Sequence, residues 1–176
     1  MTFGTGTIFL VFLTAQRLAE LWWATRNEAR LLAAGGTEYR GLHFWLMPGL
    51  QAAWMAGMWL LAYDHSVVPV FLALFIALEV ARYWVLATLG RRWTIRVIVV
   101  PGEQLVARGP YRFLRHPNYA VITGEIAVAP LTLGLPIYAL VFLVLDLVVL
   151  AIRIPAENAA LRTAHSASGR TEHPQQ

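Results

Sequence analysis

The stretch YAVITGEIAVAPLTLGLPIYALVFLVLDLVVLAI, residues 119–152, contains two apolar runs parted by Gly134, Leu135 and Pro136. Each run carries a single charge, Glu125 in the first and Asp146 in the second. Glycine and proline break the chain between them, so Tyr119–Leu133 and Ile137–Ile152 read as a tight antiparallel helical hairpin within a bilayer. Upstream lie three longer runs of the same kind, from about Phe3 to Ala24, Leu42 to Tyr63 and Val67 to Leu89. About 20 mostly apolar residues cross the hydrocarbon core. The expected fold is therefore an all-α integral membrane protein of five transmembrane helices, forming one domain over residues 1–165. A polar tail, 166–176, is expected to be disordered.

Composition agrees with this reading. Of 176 residues, 58% are hydrophobic and 14% charged, and the mean hydropathy is +0.56; a soluble domain carries nearly twice that share of charge. Cysteine is absent, which removes thiolate metal sites, iron–sulfur clusters and thiol nucleophiles. The histidines have no metal-ligand spacing, so no metal is expected. The net charge of +4 in so apolar a chain points to membrane lipids rather than nucleic acid. Phosphate-loop, G-x-G-x-x-G and G-x-S-x-G patterns are all missing.

Arginine placement sets the topology. Three arginines (Arg26, Arg30, Arg40) follow the first run, six (Arg91, Arg92, Arg96, Arg108, Arg112, Arg115) follow the third, and three (Arg153, Arg162, Arg170) follow the fifth. Five spans put all of them on one face, so the positive-inside rule places the N-terminus outside and the C-terminus in the cytoplasm. In the long third connection, Trp93–Val100 is rich in β-branched residues, Pro101-Gly102 signals a turn, and Glu103–Val106 can return. A short surface hairpin is expected there.

Six charges fall inside the runs: Arg17, Glu20, Glu79, Arg82, Glu125 and Asp146. They lie in one layer roughly 10 Å below the cytoplasmic boundary at 1.5 Å per residue. The first and third helices run in the same direction, so crossed ion pairs Arg17–Glu79 and Glu20–Arg82 are expected. Glu125 and Asp146 have no obvious basic partner. A helix-to-helix hydrogen bond is expected for Asp146; for Glu125, contact with a cavity or ligand is weighed equally against a structural role.

Gly109-Pro-Tyr-Arg-Phe-Leu-Arg-His-Pro-Asn-Tyr119 leads into the fourth run. Pro117 suits the first position of a helix, whose free amides together with Arg112 and Arg115 attract anions. His116 and Tyr119 add hydrogen-bonding groups. After the fifth run, Arg153 and Glu157 share a helix face turned toward this collar. Spacing alone leaves two readings open: a ligand collar, or lipid-anchoring arginines with a capping histidine and an exposed ion pair.

These residues resemble the isoprenylcysteine carboxyl methyltransferase family. The G-P-Y-R-x-x-R-H-P-x-Y core, the helical hairpin and R-I-x-x-E carry the likeness. Arg17-Leu-Ala-Glu20, Arg26-Asn27-Glu28 and the run from Thr88 to Thr94 look similar to a short bacterial branch associated with type III polyketide synthases, whose members methylate alkylpyrone or alkylresorcinol lipids. The resemblance implies S-adenosylmethionine as cofactor, held by Tyr111, Arg112, His116, Asn118, Tyr119, Arg153 and Glu157. Of these, Glu157 would take a polar group of the cofactor and Arg153 a carboxylate. A lipophilic or prenylated acceptor would enter from the bilayer, its oxygen oriented by Arg82 or Arg115 with Glu125 positioning a hydroxyl. Asn158 stands where the family commonly has a second glutamate, which bears on the acceptor more than on the cofactor. The R-H-P-N-Y string also resembles NADPH-dependent sterol reductases, which are longer chains, and a non-enzymatic membrane scaffold is the remaining alternative.

Overall fold

The computed structural model describes residues 4–39, 45–100 and 106–171, with side chains as far as residue 159, Tyr39 excepted. Within them lie five α-helices: α1 Thr5–Ala33, α2 Leu46–Ala62, α3 Pro69–Leu89, α4 Pro117–Thr132 and α5 Pro136–Thr171. The termini follow local chemistry. Pro69, Pro117 and Pro136 each open a helix, where the missing amide proton costs nothing. Gly35, with φ +85°, ends α1, and its amide bonds the Leu32 carbonyl. Gly134, with φ +72°, turns the chain between α4 and α5. Those two helices run antiparallel, with Thr123 donating to Asp146 at 2.6 Å and Arg153 to Tyr119 at 3.0 Å. Asp146 thus makes the interhelical hydrogen bond expected of it.

Two helices, Pro69–Arg92 and Pro136–Ala159, are long and apolar enough to cross a membrane. Helix α1 is longer than the expected first run because its polar second half, through Glu28 and Arg30, stays helical. Helix α5 likewise continues past Ser166, where a disordered tail was expected to begin, as far as Thr171.

At one end of the molecule, Gly6 bonds the His65 carbonyl at 2.9 Å and Val68 the Thr132 carbonyl at 2.8 Å, gathering four helix ends. Beneath them sits a core of Phe9, Leu13, Trp54, Met58, Phe75 and Ile126. Trp54 donates its indole N–H to the Ile126 carbonyl at 3.2 Å. At the opposite end, Asn27 donates to the Gly90 and Trp93 carbonyls at 3.2 and 2.9 Å. The Glu28 carboxylate accepts from the Ile95 and Arg96 amides at 3.1 and 3.0 Å.

The third connection departs from the expected local hairpin. Residues 97–99 do form a strand (β2), but its antiparallel partner is β1, Thr37–Tyr39, from the first connection, with Glu38 opposite Ile98. The clamp on Ile95 and Arg96 draws the third connection toward the end of α1, so the nearest free strand edge belongs to the chain leaving α1. The expected turn and most of the returning arm, residues 101–105, lie outside the described residues.

Candidate active site

The charged layer is organised by Arg82. Its guanidinium grips Glu20 with two nitrogens, Nε at 2.5 Å from Oε1 and Nη2 on Oε2, while Nη1 donates to Glu125 Oε2 at 2.9 Å. Such planar two-point pairing suits arginine in a buried site. Arg17 donates to Glu20 at 3.2 Å and to Glu125. Gln16 donates to Glu79 at 2.5 Å and to Glu20 at 3.2 Å.

The expected Glu20–Arg82 pair is therefore present and the Arg17–Glu79 pair is not. Glu125 also has two basic partners where none was expected. Both differences have one cause: α4 packs on α3 and brings a third carboxylate into a layer that was reasoned for two helices. Arg17 turns to it, and Gln16, one residue earlier, reaches Glu79.

The collar is built as a hydrogen-bonded relay. His116 precedes α4 and stacks on Tyr119, with ring centroids 5.5 Å apart. The Tyr119 hydroxyl donates to Glu157 and accepts from Arg153 Nε at 3.0 Å. Arg153 Nη2 donates to the Ile95 carbonyl at 2.8 Å. Burial, then the Glu157 carboxylate, push the Tyr111 phenol well above its usual range. Tyr111 therefore stays a neutral hydroxyl at any working pH.

Two cavities meet at this relay. The larger, about 510 Å³, is walled by Arg96–Val100, Tyr111, Arg115, His116, Glu157 and Asn158. The smaller, about 310 Å³, runs among Leu18, Leu21, Met47 and Met55 to a polar end at Arg17, Glu20 and Arg82. Trp93, Thr94, Ile95, Asn118, Tyr119 and Arg153 line both. Polar groups converge on the first and apolar walls lead to the second, an arrangement suited to a polar ligand and a lipophilic one meeting at a common wall.

The candidate residues divide accordingly. Tyr111, His116, Asn118, Tyr119, Arg153, Glu157 and also Arg115 border the larger cavity. Arg82 borders the smaller. Glu125 is fully buried behind it and lines neither, and Arg112 is exposed outside both walls. Sequence reasoning missed the partition Trp93–Ile95 and its supports Asn27 and Glu28; the only signal was a polar Arg26-Asn27-Glu28 step near the end of α1.

A model of the isoprenylcysteine carboxyl methyltransferase (ICMT) family matches residues 71–163. The chain belongs to the ICMT family. Two relatives match along nearly their whole length. One is "Uncharacterized protein YpbQ" of Bacillus subtilis, 30% identical over 168 residues, covering 88% of this chain and 95% of that protein. Another is "Uncharacterized protein" of Haemophilus influenzae, 26% identical over 158 residues, covering 84% and 89%. No solved structure matches the chain. Membership makes this a membrane protein and a methyltransferase. The ICMT match takes in Arg82, Glu125 and the whole collar; the contributions of α1, from Gln16 to Glu28, fall before it.

Proposed function

We propose that this ICMT-family chain transfers the methyl group of S-adenosylmethionine to an oxygen of a lipophilic acceptor at the cytoplasmic side of the bilayer. One observation carries the reading: Tyr119 and Arg153 stand in the wall common to a polar cavity and an apolar one, bonded to each other, with Tyr119 donating to Glu157 on the polar side. The residues fit the cofactor. Glu157 offers a carboxylate for its amino or hydroxyl groups, His116 and Tyr111 offer ring faces and hydroxyl, and Asn118 Oδ1 is buried with no hydrogen-bond partner among the described residues. When bound, the cofactor supplies an electrophilic methyl on a sulfonium.

The chain's own residues do the rest. Arg153 spends two donors on Tyr119 and Ile95, so its first task is to fix the wall. Arg82 and Arg17 face the smaller cavity and would orient an oxygen anion there, while Glu20 and Glu125 temper their charge so that the anion keeps its reactivity. Arg115, on the larger cavity, is assigned to the cofactor side instead. Apolar walls and the Trp93–Ile95 partition exclude water, which favours a reaction that destroys opposite charges. Leu18 and Leu21, 60% and 46% exposed on α1, border the smaller cavity and face lipid, so the acceptor's tail enters laterally between α1 and α2. The acceptor is an acidic enol, phenol or carboxylate on a long chain, with alkylpyrone and alkylresorcinol lipids the favoured class, in a bacterial cell membrane.

Thermal unfolding in detergent tests this directly. S-adenosylhomocysteine at 100 times its dissociation constant should add about 2.7 kcal/mol of apparent stability, and His116→Ala should lose the effect. Stabilisation by NADPH instead would move the chain to the reductases, and a response to neither ligand would leave a scaffold.

A further inference from the structure

The proposed reaction makes the smaller cavity the acceptor's site, and the role assigned to Gln51 rests on that reading. Arg17 and Arg82 are the cations at the polar end of that cavity, and both already hold Glu20 and Glu125. The hydroxyls on its wall are also spent within the protein: Thr14 donates to the Leu10 carbonyl and Thr94 to the Arg96 carbonyl, each at 2.7 Å. Gln51, on the wall that α2 contributes, differs from them. Its side chain makes no hydrogen bond among the described residues, and it is half-buried with both amide atoms accessible.

Gln51 also stands out within its own helix. Apart from two indoles, every other side chain of Leu46–Ala62 is apolar. A polar group in an apolar span is costly unless it meets a partner or a cavity. Contacts between α1 and α2 fix its depth. Thr7 donates to the Tyr63 carbonyl, while Thr14 accepts from the Trp59 indole at 3.0 Å and lies 3.5 Å from Met55 Sδ. The two helices are therefore antiparallel, and one turn beyond the Thr14–Met55 contact brings Gln51 level with the turn Arg17–Glu20. That is the depth at which the acceptor's oxygen anion is held.

We propose that Gln51 is a specificity-determining residue whose amide binds a second oxygen on the acceptor's head. The substrate then carries two separated oxygens on one apolar chain: an anionic one held by Arg17 and Arg82 and methylated, and another paired with Gln51. An amide offers N–H and C=O together, so it takes either a hydroxyl or a ketone. An anion held at one point is free to pivot, whereas two contacts fix which oxygen faces the methyl. A simple fatty carboxylate, whose two oxygens share one carbon, would leave Gln51 unpaired.

Methylation by the full chain in lipid nanodiscs tests this with two acceptors, an alkylresorcinol and the alkylphenol of the same chain length, which differ by one ring hydroxyl. Wild type should favour the alkylresorcinol in kcat/KM, and Gln51→Leu should lose about three- to tenfold of that preference, the scale of one neutral hydrogen bond. Gln51→Met keeps the length of the side chain without its amide, and carries the test if the leucine variant does not fold. Equal losses for both acceptors would overturn the proposal, because Gln51 would then shape the cavity rather than bind the second oxygen. A preference unchanged in the variants, or absent from wild type, would overturn it as well and leave the methyltransferase reading standing. Wild type that binds S-adenosylhomocysteine yet methylates neither acceptor would overturn the two-oxygen head. Wild type that does not bind S-adenosylhomocysteine would overturn the methyltransferase reading itself, an outcome distinct from the others because they all require that binding.

Discussion

Arg82 is 3% exposed and Glu125 fully buried, yet they stand at different removes from the proposed acceptor. Arg82→Met should abolish turnover while S-adenosylhomocysteine still binds, since Arg82 borders only the smaller cavity. Glu125→Gln should also lower turnover steeply, here by releasing Arg17 and Arg82 from the oxygen they share. Removing one partner from a buried ion cluster costs about 3–5 kcal/mol, so denaturant unfolding should register both changes. Loss of cofactor binding in both variants would refute this division of labour. Tyr111 gives a pH prediction. Its phenol is held neutral when folded, above the ordinary value of 10.0, so the unfolded chain binds fewer protons there once pH passes that value. Folding stability is thus intact below pH 10 and declines above it. Tyr111→Phe should decline less over the same range in melts taken from pH 8 to 11.

Among the elements, the end of α1 has the clearest consequence. Glu28 holds two backbone amides of the partition and pairs with Arg96 at 3.3 Å. Glu28→Ala should cost about 1–3 kcal/mol, since two half-buried amides lose a charged acceptor, and should speed hydrogen exchange at Ile95 and Arg96 ahead of the rest of the chain. Unchanged exchange at those amides would mean the partition is held by other contacts. Between α2 and α5, a Cβ on Gly57 would run into the Tyr138 hydroxyl. Tyr138 cannot easily move aside, because it donates to the Trp54 carbonyl at 2.8 Å and stacks on Phe142 at 4.5 Å. Gly57→Ala should therefore lower stability by about 1–3 kcal/mol through overpacking.

For the whole molecule, the hydrogen bonds gather Thr5–Gly6, Tyr63–Val68 and Thr132 at one end, and Asn27–Glu28, Gly90–Arg96, Tyr119 and Arg153 at the other. Five passes with the second end cytoplasmic would put every arginine-rich segment on one side. The chain has no cysteine, so single substitutions report cleanly. Asp64→Cys should react with an impermeant maleimide in intact cells, and Ala107→Cys only after lysis; the reverse pattern would invert the orientation.

Five helices were legible in the sequence because they rest on signals local in the chain, namely apolar run length, proline at helix starts and glycine at turns; the family was legible from the G-P-Y-R-x-x-R-H-P-x-Y and R-I-x-x-E motifs, while the spacing of the collar residues left its role open. Charge partners beyond a pair of helices were not legible. Glu125 finds Arg17 and Arg82, Gln16 finds Glu79, and β2 finds β1 only because α3, α4 and the end of α1 converge in space. The same holds for Asn118. Its place after Pro117 is written in the sequence, but its unpaired oxygen and its position between two cavities exist only once distant parts of the chain close around it. Burial and hydrogen-bond satisfaction are properties of the assembled fold, and periodicity along one strand of sequence cannot contain them.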